Sequence, residues 1–189
     1  RHASAARSGK RGWAAGEPAV NISTGSPAGQ LTVPLLDRIS GTPLPATATF
    51  SAGASPYAFP IDLPAGSDAF ALFAGHISCS NYAYASIPIT LTLTGLNAAH
   101  TYSFALFSTR GSAAEKHSNR WTDVTLAGAD AFTNHSSTGA LRFTTALTYD
   151  STRILAANLD GQVACYTAIR SGTDGIITVT LTPGATNGE

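Results

Sequence analysis

Ile87-Pro88-Ile89-Thr90-Leu91-Thr92-Leu93-Thr94 alternates apolar and hydroxylated residues with a period of two, and Ile177-Thr178-Val179-Thr180-Leu181-Thr182 repeats the pattern near the other end of the chain. Side chains two apart share one face of a strand, so each segment sends Ile, Leu or Val toward a core and Thr toward the opposite side. The chain must therefore build a sheet that is buried on one face. Thr101 to Phe107 reads the same way, with Tyr102, Phe104 and Leu106 inward. It follows a turn at Gly95-Leu96-Asn97, and the spacing predicts an antiparallel neighbour of the Ile87 segment. Further strands are expected at 31–36, 46–50, 69–73, 124–126, 141–145, 153–157 and 163–169, and a helical period only at Ser112 to His117. Asp160-Gly161 and Gly172-Thr173-Asp174-Gly175 are turn signals, since Asn, Asp and Gly tolerate positive φ.

About ten short strands separated by turns define an all-β, jelly-roll-like antiparallel β-sandwich. Pro34, Pro43, Pro45, Pro56, Pro60 and Pro64 belong at edges and in loops, because proline cannot donate to a sheet ladder. Residues 1–28 are expected to be an extended or disordered arm, and 29–189 a single domain.

Charged residues are 12% of the 189, about half the share of roughly 25% usual in globular domains. The surface must therefore be largely neutral, and 24 Thr and 19 Ser make it hydroxylated. Plentiful, periodic apolar residues exclude disorder, and no apolar run approaches the length of a membrane span. Eleven basic residues balance eleven acidic ones, which argues against a nucleic-acid partner. Arg1, Arg7, Lys10 and Arg11 sit in the arm, so the remainder is mildly acidic. The absence of Met is read as removal of an upstream segment, a secretion signal being the natural candidate, and so as an extracellular location.

Cys79 and Cys165 are then expected to form one disulfide, the alternative being two buried thiols. The sequons at Asn21 and Asn134 fit the same compartment. No nucleophile elbow, zinc-protease motif or phosphate loop is present. His76 near Ser78, His135 near Ser136 and Ser137, and the carboxylate pairs Asp123 with Asp130 and Asp150 with Asp160 lack any spacing that defines a catalytic group. No enzymatic activity is expected. Asp68, Asp150, Asp160 and Asp174 lie beside Ser, Thr, Asn or Gly, where carboxylates and carbonyls can converge on structural calcium or simply close Asx turns. Sugar binding requires aromatic faces beside planar polar groups. Arg110, Asn119, Arg120 and Trp121 in one loop-rich stretch, with Tyr84 near another turn, supply them.

The order Gly66-Ser67-Asp68-Ala69-Phe70, Leu93-Thr94-Gly95-Leu96-Asn97 with Thr101-Tyr102, and Ser108-Thr109-Arg110 resembles a sandwich domain of secreted multidomain bacterial proteins. Asn119-Arg120-Trp121, Phe132 to Ser137, Asp150-Ser151-Thr152-Arg153, Ala157-Asn158 and Gly175 to Val179 continue the likeness. Over residues 60–183 the chain thus resembles galactose-binding-like, carbohydrate-binding modules of secreted and cell-surface proteins. The resemblance implies a non-catalytic extracellular module whose partner is a glycan or cell-surface polysaccharide. Such domains continue past the equivalent of Thr182-Pro183-Gly184 into a closing apolar strand. A sandwich lacking that C-terminal strand would need a filler, either Ala19 to Ser23 or Leu31 to Val33 of its own chain, or the same segment of a neighbour. The last case is donor-strand addition, in which copies of the chain form an extracellular filament, sheath or surface layer. A strand order that leaves nothing missing is the remaining alternative.

Overall fold

In the computed structural model residues 28–37, 40–53, 56–57, 63–73, 82–83, 89–107, 121–146, 149–155 and 158–183 are described. Alternating sequence becomes strand through most of them. The elements are β1 (Ala28–Leu36), β2 (Pro43–Gly53), β3 (Pro56–Tyr57), α1 (Asp68–Phe73), β4 (Tyr82–Ala83), β5 (Ile89–Thr94) and β6 (Tyr102–Phe107). They continue with β7 (Trp121–Ala127), β8 (Ala129–Asn134), β9 (Leu141–Ala146), β10 (Tyr149–Leu155), β11 (Val163–Ser171) and β12 (Ile177–Pro183).

Two antiparallel sheets carry the fold: a seven-stranded sheet in the order β1-β2-β5-β12-β7-β10-β9 and a three-stranded sheet in the order β6-β11-β8. β3 and β4 form a separate short ribbon. The main core lies between the two sheets. Val124, Leu126, Ile154, Ile177 and Val179 of the large sheet meet Ala164, Tyr166 and Ile169 of β11, with Tyr102, Phe104 and Leu106 of β6 packed against them as the alternation requires. Burying each large apolar side chain contributes roughly 1.5 to 3 kcal/mol.

β11 is buried on both faces at its start. Its other set, Val163 and Cys165, packs with Ala105 and Phe107 of β6 beneath Ala69, Leu72 and Phe73 of α1. The chain thus has three layers where a plain sandwich has two. Residues 69–73, expected as a strand, are helical for a local reason. The Ser67 hydroxyl accepts the Phe70 N–H (3.0 Å), and Ala71 N–H donates to the Ser67 carbonyl (3.0 Å), an N-cap followed by the first helical bond. Ala69, Leu72 and Phe73, spaced i, i+3 and i+4, then form the buried stripe.

β5 and β6 are not neighbours, contrary to the expected pairing: β5 lies in the large sheet and β6 in the small one. The corner between them exceeds a two-residue hairpin loop and lets the chain cross to the second layer. Asn97 N–H donates to the Tyr102 hydroxyl (2.7 Å), which fixes the corner, and Leu96 plugs it, 6% exposed.

β12, the last described strand, is interior, with Ile177 to Leu181 paired to β5 and Thr178 to Pro183 paired to β7. Among the described residues the edges of the large sheet are β1 and β9, so no closing strand is wanted beside β12. Leu31 to Val33 pairs with β2 of its own chain, and Pro34 sits on that edge strand beside a register shift. Among the described residues the all-β sandwich expected from sequence is present as sheets of seven and three strands. Residues 1–27 and the helical period expected at 112–117 lie outside the described residues.

β11 carries a bulge: its pairing with β6 shifts by one residue between Tyr166 and Ile169, and Ala168 takes φ 49°. Left-handed backbone costs an L-residue roughly 1 to 2 kcal/mol, which glycine avoids at some loss of chain entropy. Ala168 is exposed, so no packing opposes the exchange. Ala168→Gly is expected to raise stability by about 0.5 to 1 kcal/mol in urea denaturation; a loss of stability would show that the left-handed conformation is not retained.

Candidate functional site

Alternation leaves the outward positions of β5, β12 and β7 almost free of charge. The outward positions of β5 and β12 are all threonine: Thr90, Thr92 and Thr94, and Thr178, Thr180 and Thr182, none of them buried. Pairing aligns these hydroxyls in rows across the strands, about 4.8 Å apart. One row runs Thr90, Thr180, Thr125, Ser151 through four consecutive strands, β5, β12, β7 and β10. Thr47 and Thr94 share a cross-strand hydroxyl bond of 2.9 Å, and Thr32 and Thr49 one of 2.8 Å.

The same face carries an ion pair. Asp123 of β7 stands opposite Arg153 of β10, and the guanidinium binds the carboxylate through two bonds, Nε to Oδ1 at 2.6 Å and Nη2 to Oδ2 at 2.8 Å. Both side chains are about one-fifth exposed, at 22% and 20%. The hydrogen bonds to Asp123 raise the Arg153 pKa above its ordinary value; partial burial opposes this and the carboxylate's charge adds to it. The planar fork keeps N–H groups and carboxylate lone pairs at its rim, the geometry that engages neighbouring hydroxyls. Trp121, two residues before Asp123 on β7, shares this face by strand alternation and is half-buried. An indole, a planar ion pair and rows of hydroxyls therefore lie on one surface.

Trp121 opens a strand instead of sitting in a loop. Arg110, Asn119, Arg120 and Tyr84, proposed with it, lie outside the described residues, as do Cys79 and Asn21. Cys165 is buried under α1. Of the aspartates expected to hold calcium, Asp68, Asp160 and Asp174 have described side chains, and Asp150 is described in its backbone only. Asp68 accepts a bond from the Ser137 hydroxyl (2.6 Å), Asp150 is within β10 rather than in a loop, and Asp160 is exposed in a turn. Among the described residues no three His, Cys, Asp or Glu side chains approach as a metal site would require. Asp174 closes an Asx turn by accepting the Ile176 N–H (3.1 Å). The amide nitrogen of the Asn134 sequon, half-buried, donates to Thr152 Oγ1 (2.9 Å).

Nor do the described Ser, His and Asp residues form a triad. Ser137 is clasped between Asp68 and the Val163 N–H (2.8 Å), while the His135 Nδ1 contact is to Thr167 Oγ1 (3.3 Å). Ser136 faces Thr152 at 3.3 Å. These bonds run along the extension of β8, where His135 N–H donates to the Cys165 carbonyl (2.7 Å) and Ser137 N–H to that of Val163 (3.0 Å). The latch between Asp68 and Ser137 fastens α1 to this extension.

The outward threonines of β5 and β12 are legible in the sequence, but their alignment in rows and the role of Arg153 are not. The available signal was that Arg153 and Asp123 occupy outward positions of alternating segments, but their juxtaposition depends on strand register. No family model, curated protein or solved structure matches the chain.

Proposed function

We propose that this chain is a non-catalytic module of a secreted or cell-surface protein, and that it binds polysaccharide on the outer face of its seven-stranded sheet. The observation that carries this reading is the placement of Trp121, the Asp123–Arg153 fork and the hydroxyl rows on one surface. Pyranose rings present apolar C–H faces and equatorial hydroxyls. The first suit an indole and the second suit a planar ion pair and threonine hydroxyls. The neutral, hydroxyl-rich composition and the resemblance to carbohydrate-binding modules favour the same class of ligand. Among the described residues no helix is long and apolar enough to cross a membrane.

Filament formation by donation of Leu31 to Val33 is less favoured. Asp37 N–H donates to the Thr42 carbonyl (2.8 Å), and its carboxylate accepts the Ser40 N–H (2.7 Å), so a tight turn ties β1 to β2 of the same chain. Donation to another subunit would have to open that hairpin.

The chain has two tryptophans, so a Trp13→Phe background leaves Trp121 as the sole indole reporter. Titration with soluble polysaccharides is expected to shift its fluorescence and release heat. Trp121→Ala should weaken binding roughly tenfold or more, as removal of a central aromatic anchor does, with little change in melting temperature. Silence across the panel in both measurements overturns the proposal.

A further inference from the structure

We infer that the partner of this face is a single uncharged polysaccharide chain, in preference to a crystalline or an ionic polysaccharide. The inference rests on the polysaccharide reading above and specifies its substrate class.

Charge is the first ground. The protein carries 22 charged residues, yet across β5, β12 and β7 the outward positions include one, Asp123, and Arg153 of β10 neutralises it through two bonds. An acidic or basic chain laid across this surface would lose hydration and gain no counter-charge.

The second ground is hydrogen-bonding capacity. Two threonine hydroxyls together offer two donors and four acceptors. A cross-strand bond such as Thr47 to Thr94 uses one of each, leaving acceptors in excess. Such a surface suits a ligand rich in O–H donors.

Sheet twist supplies the third ground. The hydroxyl rows run across the strands, and adjacent strands rotate by roughly 20 to 25°. The unburied part of the row, Thr90, Thr180 and Thr125, spans three strands and therefore swings through roughly 40 to 50°. A flat crystal face can meet one or two strands of such a surface, whereas a separate chain can wind with it. Ser151, at the β10 end of the row, is 7% exposed, so the accessible length stops at β7.

Retention of the full chain would be measured on matched forms of one backbone: acid-swollen amorphous cellulose, microcrystalline cellulose and carboxymethyl cellulose, with swollen chitin, crystalline chitin and chitosan as a second series and soluble glucomannan as a third neutral ligand. Amorphous or soluble neutral forms should be retained at least tenfold better than crystalline or charged ones. Binding should change less than about twofold between 0.01 M and 1 M salt, over which the screening length falls from roughly 30 to 3 Å. Thr180→Lys, which puts a charge in the middle of the row at a position that is not buried, should reduce retention on amorphous polysaccharide about tenfold while leaving the melting temperature within a few degrees. Equal or better retention on crystalline or charged forms, or strong salt dependence, overturns this inference and leaves polysaccharide binding standing. Failure to bind any member of the two series or glucomannan overturns both.

Discussion

Gly175→Ala is expected to destabilise the protein by roughly 3 to 5 kcal/mol, one of the two largest losses among the substitutions considered. Two costs combine. Gly175 adopts φ 65°, where an L-residue loses roughly 1 to 2 kcal/mol. A Cβ there would also lie 2.6 Å from the Leu96 carbonyl oxygen and 3.2 Å from the Leu96 nitrogen. Both are backbone atoms, so no rotamer change relieves the contact. Leu96 N–H donates to the Gly175 carbonyl (3.0 Å), and this bond holds the turn before β12 against the corner that leaves β5. Pushing the two apart disturbs a corner whose leucine is 6% exposed. Gly66→Ala separates the two costs, because Gly66 has φ 76° but nothing within 4 Å of its added Cβ. It should lose only about 1 to 2 kcal/mol. Urea denaturation of both variants at unchanged m-value measures the difference; equal losses would mean that the approach to Leu96 carries no energy.

The same contact shows what could be read from the sequence and what could not. Gly172 to Gly175 was legible as a turn because glycine and aspartate favour it, and Gly175 N–H does donate to the Gly172 carbonyl at 3.0 Å. That the turn docks on Leu96 was not legible, because nothing local records which corner of a sandwich abuts which. The strands β5 and β12 announce themselves by alternation, and Tyr102, Phe104 and Leu106 face the core as their spacing requires. Their sheet assignment depends on long-range pairing, so spacing alone sets β6 beside β5, whereas it lies in the other layer. α1 was missed because six residues are too few to sustain a period. Its signals were nonetheless present in the Ser67 cap and in the i, i+3, i+4 spacing of Ala69, Leu72 and Phe73. In the candidate site, Trp121 was found by residue type. Arg153 was not, because its partner is thirty residues away and only register brings them together. Asp68 stood out as a carboxylate among small polar residues, yet it serves Ser137 and the anchorage of α1.

Thr152→Val should cost roughly 2 to 4 kcal/mol although it preserves shape, because it removes the hub of a buried polar network. Thr152 is 0% exposed, and its hydroxyl meets Asn134 Nδ2 at 2.9 Å, Tyr166 Oη at 3.1 Å and Ser136 Oγ at 3.3 Å. Capacity assigns the protons. The Tyr166 hydroxyl donates to the Val124 carbonyl (3.2 Å), so it accepts from Thr152. With that donor used, Thr152 accepts from Asn134 and Ser136, and Ser136 accepts the Cys165 N–H (3.0 Å). Every capacity of the Thr152 hydroxyl is filled. The network joins β10 of the large sheet to β11 and the end of β8 in the small one, and so fixes the placement of the two layers more specifically than their apolar contact does. Valine removes the acceptor that Thr152 offers to Asn134 Nδ2 and Ser136 Oγ at a position that is itself 0% exposed. Thr152→Ser, which keeps the hydroxyl and removes one methyl, should cost only about 1 kcal/mol. Tyr166→Phe should cost about 1 to 2 kcal/mol, since the orphaned groups are one hydroxyl donor and one carbonyl lone pair. Combining Thr152→Val with Tyr166→Phe should cost less than the sum of the two, because both remove the same bond. For a chain of this length 2 to 4 kcal/mol lowers the melting temperature by roughly 4 to 16 °C, readable by calorimetry. A Thr152→Val protein within about 0.5 kcal/mol of the wild type, or fully additive losses in the double variant, would mean that apolar packing alone sets the sheets against each other.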